Sequence, residues 1–152
     1  MSDDAPTPVF LHPSAIRLLW LLALVLLSVA CSPSGDIRVT DAVMRPPLPG
    51  KTMGVAYFTL DNPGSAPLVL IGAESPIAGA IEMHTHIHDG DMMRMRRVDQ
   101  VEIAPKGSVT FKTGGYHLML FRVHDLKPPR VPITLLFKRH APVTVAFELE
   151  DY

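Results

Sequence analysis

From Asp36 onward, turn-forming residues cut the chain into pieces too short for long helices. The breaks are Pro46-Pro47-Leu48-Pro49-Gly50, Asn62-Pro63-Gly64, Asp89-Gly90, Pro105-Lys106-Gly107, Gly114-Gly115 and Pro128-Pro129. Proline presets φ and glycine reaches positive φ, so each break favours a reversal over continued regular structure. The intervening stretches read as strands: Ile37 to Met44, Thr52 to Asp61, Leu68 to Glu74, Ala80 to Ile87, Met92 to Val98, Val101 to Ile103, Ser108 to Phe111, His117 to Val123, Ile133 to Phe137 and Val143 to Leu149. None carries a convincing helical period, and there is no internal repeat. The pattern predicts an all-β, antiparallel sandwich or barrel of about eight to ten short strands. A chain of 152 residues buries one core and hardly two, so a single folded domain over 37–152 is expected.

The N-terminus is a separate matter. Leu18 to Ala30, apolar apart from Ser28, is a run behind Arg17 too short for a comfortable membrane span and suited to the core of a signal peptide. It ends Leu27-Ser28-Val29-Ala30-Cys31, with small residues ahead of the only cysteine in the chain. Residues 1–30 are therefore expected to be a signal peptide of lipoprotein type, with Cys31 the lipidated first residue of the mature chain and 31–36 a short linker. That places the domain in the periplasm or another extracytoplasmic space, touching the membrane only through an N-terminal lipid or anchor.

Removing residues 1–30 takes away Asp3, Asp4 and Arg17 and leaves thirteen acidic and thirteen basic side chains. A neutral domain with no long basic run is not built for nucleic acid. The cluster Arg94, Arg96, Arg97 reads as a solvated strand face.

Two histidines and two methionines are spaced as a soft metal site requires: His84, ten residues, Met95, twenty-one residues, His117, one residue, Met119. Asp89-Gly90 reads as the centre of a two-residue hairpin turn. With that loop His84 faces Met95 and His86 faces Met93, all four on one side of the hairpin because side chains alternate with period two. His117 and Met119 are two apart on a further strand and so share a face, with Tyr116 and Leu118 turned toward the core. Gly114-Gly115 lets the backbone turn sharply into that strand.

Thioether sulfur is soft and uncharged, so with imidazole it favours copper(I) over zinc, calcium or magnesium. Unlike a thiolate it is not consumed by disulfide formation in an oxidising compartment. Blue-copper electron transfer needs a thiolate ligand that the mature chain does not supply. Neither a Gly-x-Ser-x-Gly elbow nor a phosphate-binding glycine loop is present, so no enzymatic activity is expected.

The spacing of His84, Met95, His117 and Met119 resembles the signature of the periplasmic copper chaperones called the PCuAC family. The resemblance extends to Asp41-Ala42-Val43-Met44-Arg45, Gly54-Val55-Ala56-Tyr57-Phe58, Glu82-Met83-His84, Met93-Arg94-Met95-Arg96 and Gly114-Gly115-Tyr116-His117-Leu118-Met119-Leu120, nearly the whole mature chain. It implies a cupredoxin-like β-sandwich holding one copper(I) per chain through those four side chains; nothing in the sequence suggests an obligate dimer, so a monomer is expected. It also implies delivery to an acceptor such as cytochrome c oxidase subunit II or a thiol copper chaperone, in oxidase assembly. The chain departs from the family pattern at His86 and His88, where many members carry methionines.

His86, His88 and Met93 are accessory metal candidates. The two histidines stand either as exposed hairpin residues or, with Asp89 or Asp91, as a weak second site for copper(II) or zinc. A protein storing copper(II) or zinc on His84, His86 and His88, for resistance rather than delivery, is the alternative function. A β-sandwich interaction module without metal is a further reading. Met44, Met53 and Met83 are expected in the core, Met93 beside the ligands, and His124 and His140 at the surface.

Overall fold

The computed structural model describes residues 36–90, 92–127 and 129–150, with the side chains of His88 and Asp89 left aside. The predicted signal segment, Cys31 and the linker up to residue 35 lie outside the described residues. Every regular element described is a strand: β1 (Arg38–Arg45), β2 (Gly54–Asp61), β3 (Leu68–Glu74), β4 (Ala80–Asp89), β5 (Met92–Arg97), β6 (Val101–Ile103), β7 (Ser108–Phe111), β8 (His117–Phe121), β9 (Arg130–Phe137) and β10 (Val143–Leu149). Each predicted strand has its counterpart, displaced by up to three residues at one end.

The strands pair in the order β5-β4-β8-β2-β1-β10-β9-β3-β6, with β7 on β2. All pairings are antiparallel except β1 with β10. One edge of β2 is shared: Gly54 to Ala56 pair with β8, and Phe58 to Asp61 pair with β7. β3 lies beside β4 without a ladder between them, so the sheet curls over its own apolar face as a cupredoxin-like sandwich.

Alternation explains which face is covered. In β2, Ala56, Phe58 and Leu60 are buried while Val55, Tyr57 and Thr59 are half-buried; in β9, Val131, Ile133, Leu135 and Phe137 point inward. Phe58 stacks on Phe111 with ring centroids 4.3 Å apart and meets Phe147 edge-on at 5.7 Å. These three rings are the largest fully buried side chains of the core.

Turn chemistry holds the ends. Asn62, 5% exposed, accepts from the Gly64 amide at 3.0 Å and donates to the carbonyls of Ala66, Ile103 and Ala104 at 2.8–3.1 Å, tying two turns together. A bulge between Thr40 and Val43, with Asp41 at φ +53°, re-aims β1 so that Val43 and Arg45 stand beside Tyr57 and Val55.

The methionine expectations divide. Met44 and Met83 are core residues at 0% and 3% exposure. Met53 is not: it is 49% exposed, because it precedes β2 on the loop from Pro46 and never enters the alternating pattern. His124 and His140 are exposed, as expected.

Candidate metal centre

β5, β4 and β8 lie side by side at one edge of the sheet order. In the β4–β8 ladder His84 faces His117 and Glu82 faces Met119. In the β4–β5 ladder His86 faces Met95 and His84 faces Arg97. Alternation then gathers Glu82, His84 and His86 from β4, Met93, Met95 and Arg97 from β5, and His117 and Met119 from β8 on one face, three strands wide.

The hairpin register corrects the sequence reading. Asp89 pairs with Met92, so Asp89 belongs to the ladder and the turn is not centred on Asp89-Gly90. Gly90 takes φ +63° at the first loop position, which spares Asp89 a left-handed backbone, and glycine-first loops are among the favoured hairpin turns. Met95 therefore faces His86, not His84, and Met93 faces His88. The pairing moves by an even number of residues, so no side chain changes face.

Two of these residues differ sharply in burial. β8 has Leu118 and Leu120 in the core, yet His117, on its other face, is only 3% exposed. Met95 is 48% exposed. Between them opens a cleft of about 740 Å³ whose lining includes His86, Met95, His117 and Met119, with Leu48 and Met53 from the loop before β2. His84 stands just outside that lining.

Hydrogen bonds fix how the imidazoles present themselves. His117 Nδ1 lies 3.0 Å from the Gly115 carbonyl. A carbonyl only accepts, so Nδ1 carries the proton and Nε2 carries the lone pair. Gly114, at φ +79°, makes the turn that brings this carbonyl under the ring. His84 Nε2 lies 2.9 Å from Glu82 Oε2, and Arg97 Nη1 donates to Glu82 Oε1 at 3.2 Å. The hydrogen bond from His84, with Arg97 nearby, holds the Glu82 carboxyl below its usual range despite partial burial. The ionised carboxylate accepts from His84 Nε2–H, leaving the Nδ1 lone pair free.

The outcome is that His84 Nδ1, His86 Nδ1 and His117 Nε2 are buried without a hydrogen-bond partner. One unpartnered buried nitrogen costs about 1–3 kcal/mol. Three in one cluster are expected where a bound group supplies the partner. The His84 and His117 ring centroids are 5.9 Å apart, and those of His86 and His117 are 5.1 Å apart. An ion about 2 Å from each nitrogen would set neighbouring imidazole centroids roughly 5–6 Å apart. Among the described residues no three His, Cys, Asp or Glu side chains enclose an ion unaided. The thioethers of Met95 and Met119 are the remaining donors on this face.

Glu82 and Arg97 escaped the sequence reading, which placed Arg97 with Arg94 and Arg96 on a solvated face. Arg97 lies on the opposite face from those two, and the period of two from His84 back to Glu82 is the signal that marks the carboxylate. The side chain of His88 and all of Asp91 lie outside what is described, as does any site near the turn built on them. Met93 is 54% exposed and does not line the cleft.

Burial, and then the neighbouring His86 and His84, push the His117 pKa below the ordinary 6.5, against the opposing pull of Gly115. The unfolded chain then holds this proton more tightly than the folded one. The contribution of His117 to stability is full above pH ~6.5 and is lost as the pH falls from there through the depressed value. Thermal melts of metal-free protein should show a melting temperature that declines below about pH 6.5, and His117→Leu should flatten that decline.

The family profile LpqE-like, described as a lipoprotein family, matches residues 37–149. A search of curated proteins gives no match. Among solved structures, the copper-bound PCuAC domain from PmoF2 is 26% identical and superimposes with a TM-score of 0.64, covering 78% of this chain and 96% of that one. The apo PmoF2 PCuAC domain is 27% identical at a TM-score of 0.62, covering 77% and 91%. The solution structure of CuI-DR1885 from Deinococcus radiodurans is 28% identical at a TM-score of 0.58, covering 80% and 81%.

Proposed function

The chain belongs to the LpqE-like family, of PCuAC type, and from that premise we propose that it is an extracytoplasmic copper(I) metallochaperone. The observation that carries this reading is that His84 Nδ1 and His117 Nε2 are buried without partners on the same face as two thioethers. One copper(I) per chain is bound by His84 Nδ1, His117 Nε2 and the sulfurs of Met95 and Met119. Two neutral nitrogens and two soft neutral sulfurs suit a monovalent soft ion and leave harder divalent ions poorly served. Copper-bound and copper(I)-bound domains among the similar structures support the cargo.

Release proceeds by ligand exchange. Met95 is half exposed at the mouth of the cleft, so an incoming thiolate or imidazole reaches the ion there while His117 still holds it from below. Thioethers leave more readily than thiolates, and the ion passes to a cysteine-rich acceptor without ever being free. The acceptor in this reading is cytochrome c oxidase subunit II, at its dinuclear copper centre, or a thiol copper chaperone that serves it. Lipidation at Cys31 tethers the monomer to the membrane where such an acceptor resides. Mixing the copper(I)-loaded soluble domain with the apo copper domain of subunit II should move copper to the acceptor, read by its absorption after oxidation. Retention of all the copper would count against delivery.

Glu82 orients His84 and Arg97 steadies Glu82, the arrangement by which a carboxylate commonly fixes the tautomer of a metal-binding histidine. Glu82→Gln keeps the shape but weakens the acceptor. Copper(I) affinity is expected to fall about tenfold in chelator competition, with the apo melting temperature little changed. An unaltered affinity would remove Glu82 from the centre.

A further inference from the structure

His86 has no place in the four-donor copper(I) set, yet it is built into the same cleft. Its Nδ1 is buried and unpartnered, its ring centroid is closer to His117 than that of His84, and it lines the cleft while His84 does not. The hairpin register places it directly opposite Met95. A surface histidine without a role would turn its nitrogens to water.

We propose that His86 is a copper(II) ligand. Together with His84 and His117 it gives the cleft a three-nitrogen set for the oxidised ion, beside the His/Met set for the reduced one. The proposal rests on reading this cleft as a copper centre and adds the oxidation state of the cargo that it admits. Imidazole nitrogen suits copper(II), whereas thioether adds little to it; for copper(I) the preference reverses. His84 and His117 belong to both sets, so the ion shifts between His86 and the methionines according to its charge. In the present arrangement the three imidazoles do not close on one point. Rotation about the χ angles of His86, at the half-buried wall of an open cleft, brings its nitrogen to the ion. An extracytoplasmic, oxidising compartment presents copper in the divalent form, so a carrier able to hold it there has two sources of cargo.

Titration of the apo domain with copper(II) sulfate, followed by electron paramagnetic resonance and electron spin echo envelope modulation, tests this. One copper(II) per chain coupled to three imidazoles is expected. His86→Ala and His86→Gln should each lose one coupled imidazole and weaken copper(II) binding about tenfold or more, the scale on which even outlying groups tune a metal site. Copper(I) affinity in the same preparations should stay within about threefold, since His86 lies outside that set. Apo melting curves of both variants check that the fold persists. Unchanged copper(II) spectra and affinity would overturn the proposal. Equal loss of copper(I) and copper(II) would also overturn it, since His86 would then belong to one undivided site. Three-nitrogen copper(II) binding by a wild-type protein that fails to bind copper(I) would uphold His86 and remove the copper(I) reading instead.

Discussion

His117→Leu is expected to abolish copper(I) binding and yet leave the metal-free protein about as stable as before. The loss follows from position. His117 is the most buried donor, at 3% exposure, with its Nδ1 proton committed to the Gly115 carbonyl and its Nε2 lone pair facing the cleft. Removing it should weaken binding by at least about 100-fold, or ~2.7 kcal/mol. The retained stability follows from the same ring. In the apo state leucine relieves the cost of an unpartnered buried nitrogen but also removes the bond that the Gly115 carbonyl accepts from Nδ1, so the net change in stability should stay within about 1 kcal/mol. Leu118 and Leu120 keep β8 anchored in the core whichever residue stands at 117. Chelator competition and thermal melts on one preparation read both effects. A variant that loses copper together with more than about 3 kcal/mol of stability would mean that Nε2, as well as Nδ1, already has a structural partner.

The double variant Met95→Leu, Met119→Leu carries the second large effect. Leucine conserves the volume of methionine to a good approximation, and such exchanges usually cost less than about 1.5 kcal/mol. Met95 is half exposed and Met119 half-buried, so the fold should tolerate both changes. What is removed is all the sulfur in the proposed set, and copper(I) affinity should fall by about 100-fold or more. Zinc or copper(II) binding, which draws on imidazole, should change by less than about threefold. A storage protein relying on His84, His86 and His88 predicts the opposite ranking, with copper(I) affinity barely altered. The pair of metals measured on one variant therefore separates delivery of a soft ion from sequestration of a borderline one.

The fold was legible in the sequence because its punctuation is local. At the breaks proline presets φ while glycine and asparagine tolerate the positive φ that reversals need, and the strands between them follow from alternation. Which donors share a face was legible for the same reason, since His117 and Met119, or His84 and His86, differ by two wherever the strand lies. The hairpin register was not. Asp89-Gly90 and Gly90-Asp91 are both competent two-residue loops, and the choice turns on which residue accepts positive φ, something settled by the whole β4–β5 ladder. The cleft at His117 was hidden as well, because its lining joins β8 to the loop from Pro46 to Met53, a distant part of the chain. Glu82 was visible two residues from His84 but without a reason to single it out. That reason came from Arg97, brought across from β5 by the corrected register.

The most direct test of the account is the copper K-edge absorption of the anaerobically loaded protein. It predicts a single copper(I) with two nitrogen scatterers near 2.0 Å, bearing the multiple-scattering signature of imidazole, and two sulfur scatterers near ~2.3 Å. A first coordination sphere of three or four nitrogens with no sulfur would contradict it.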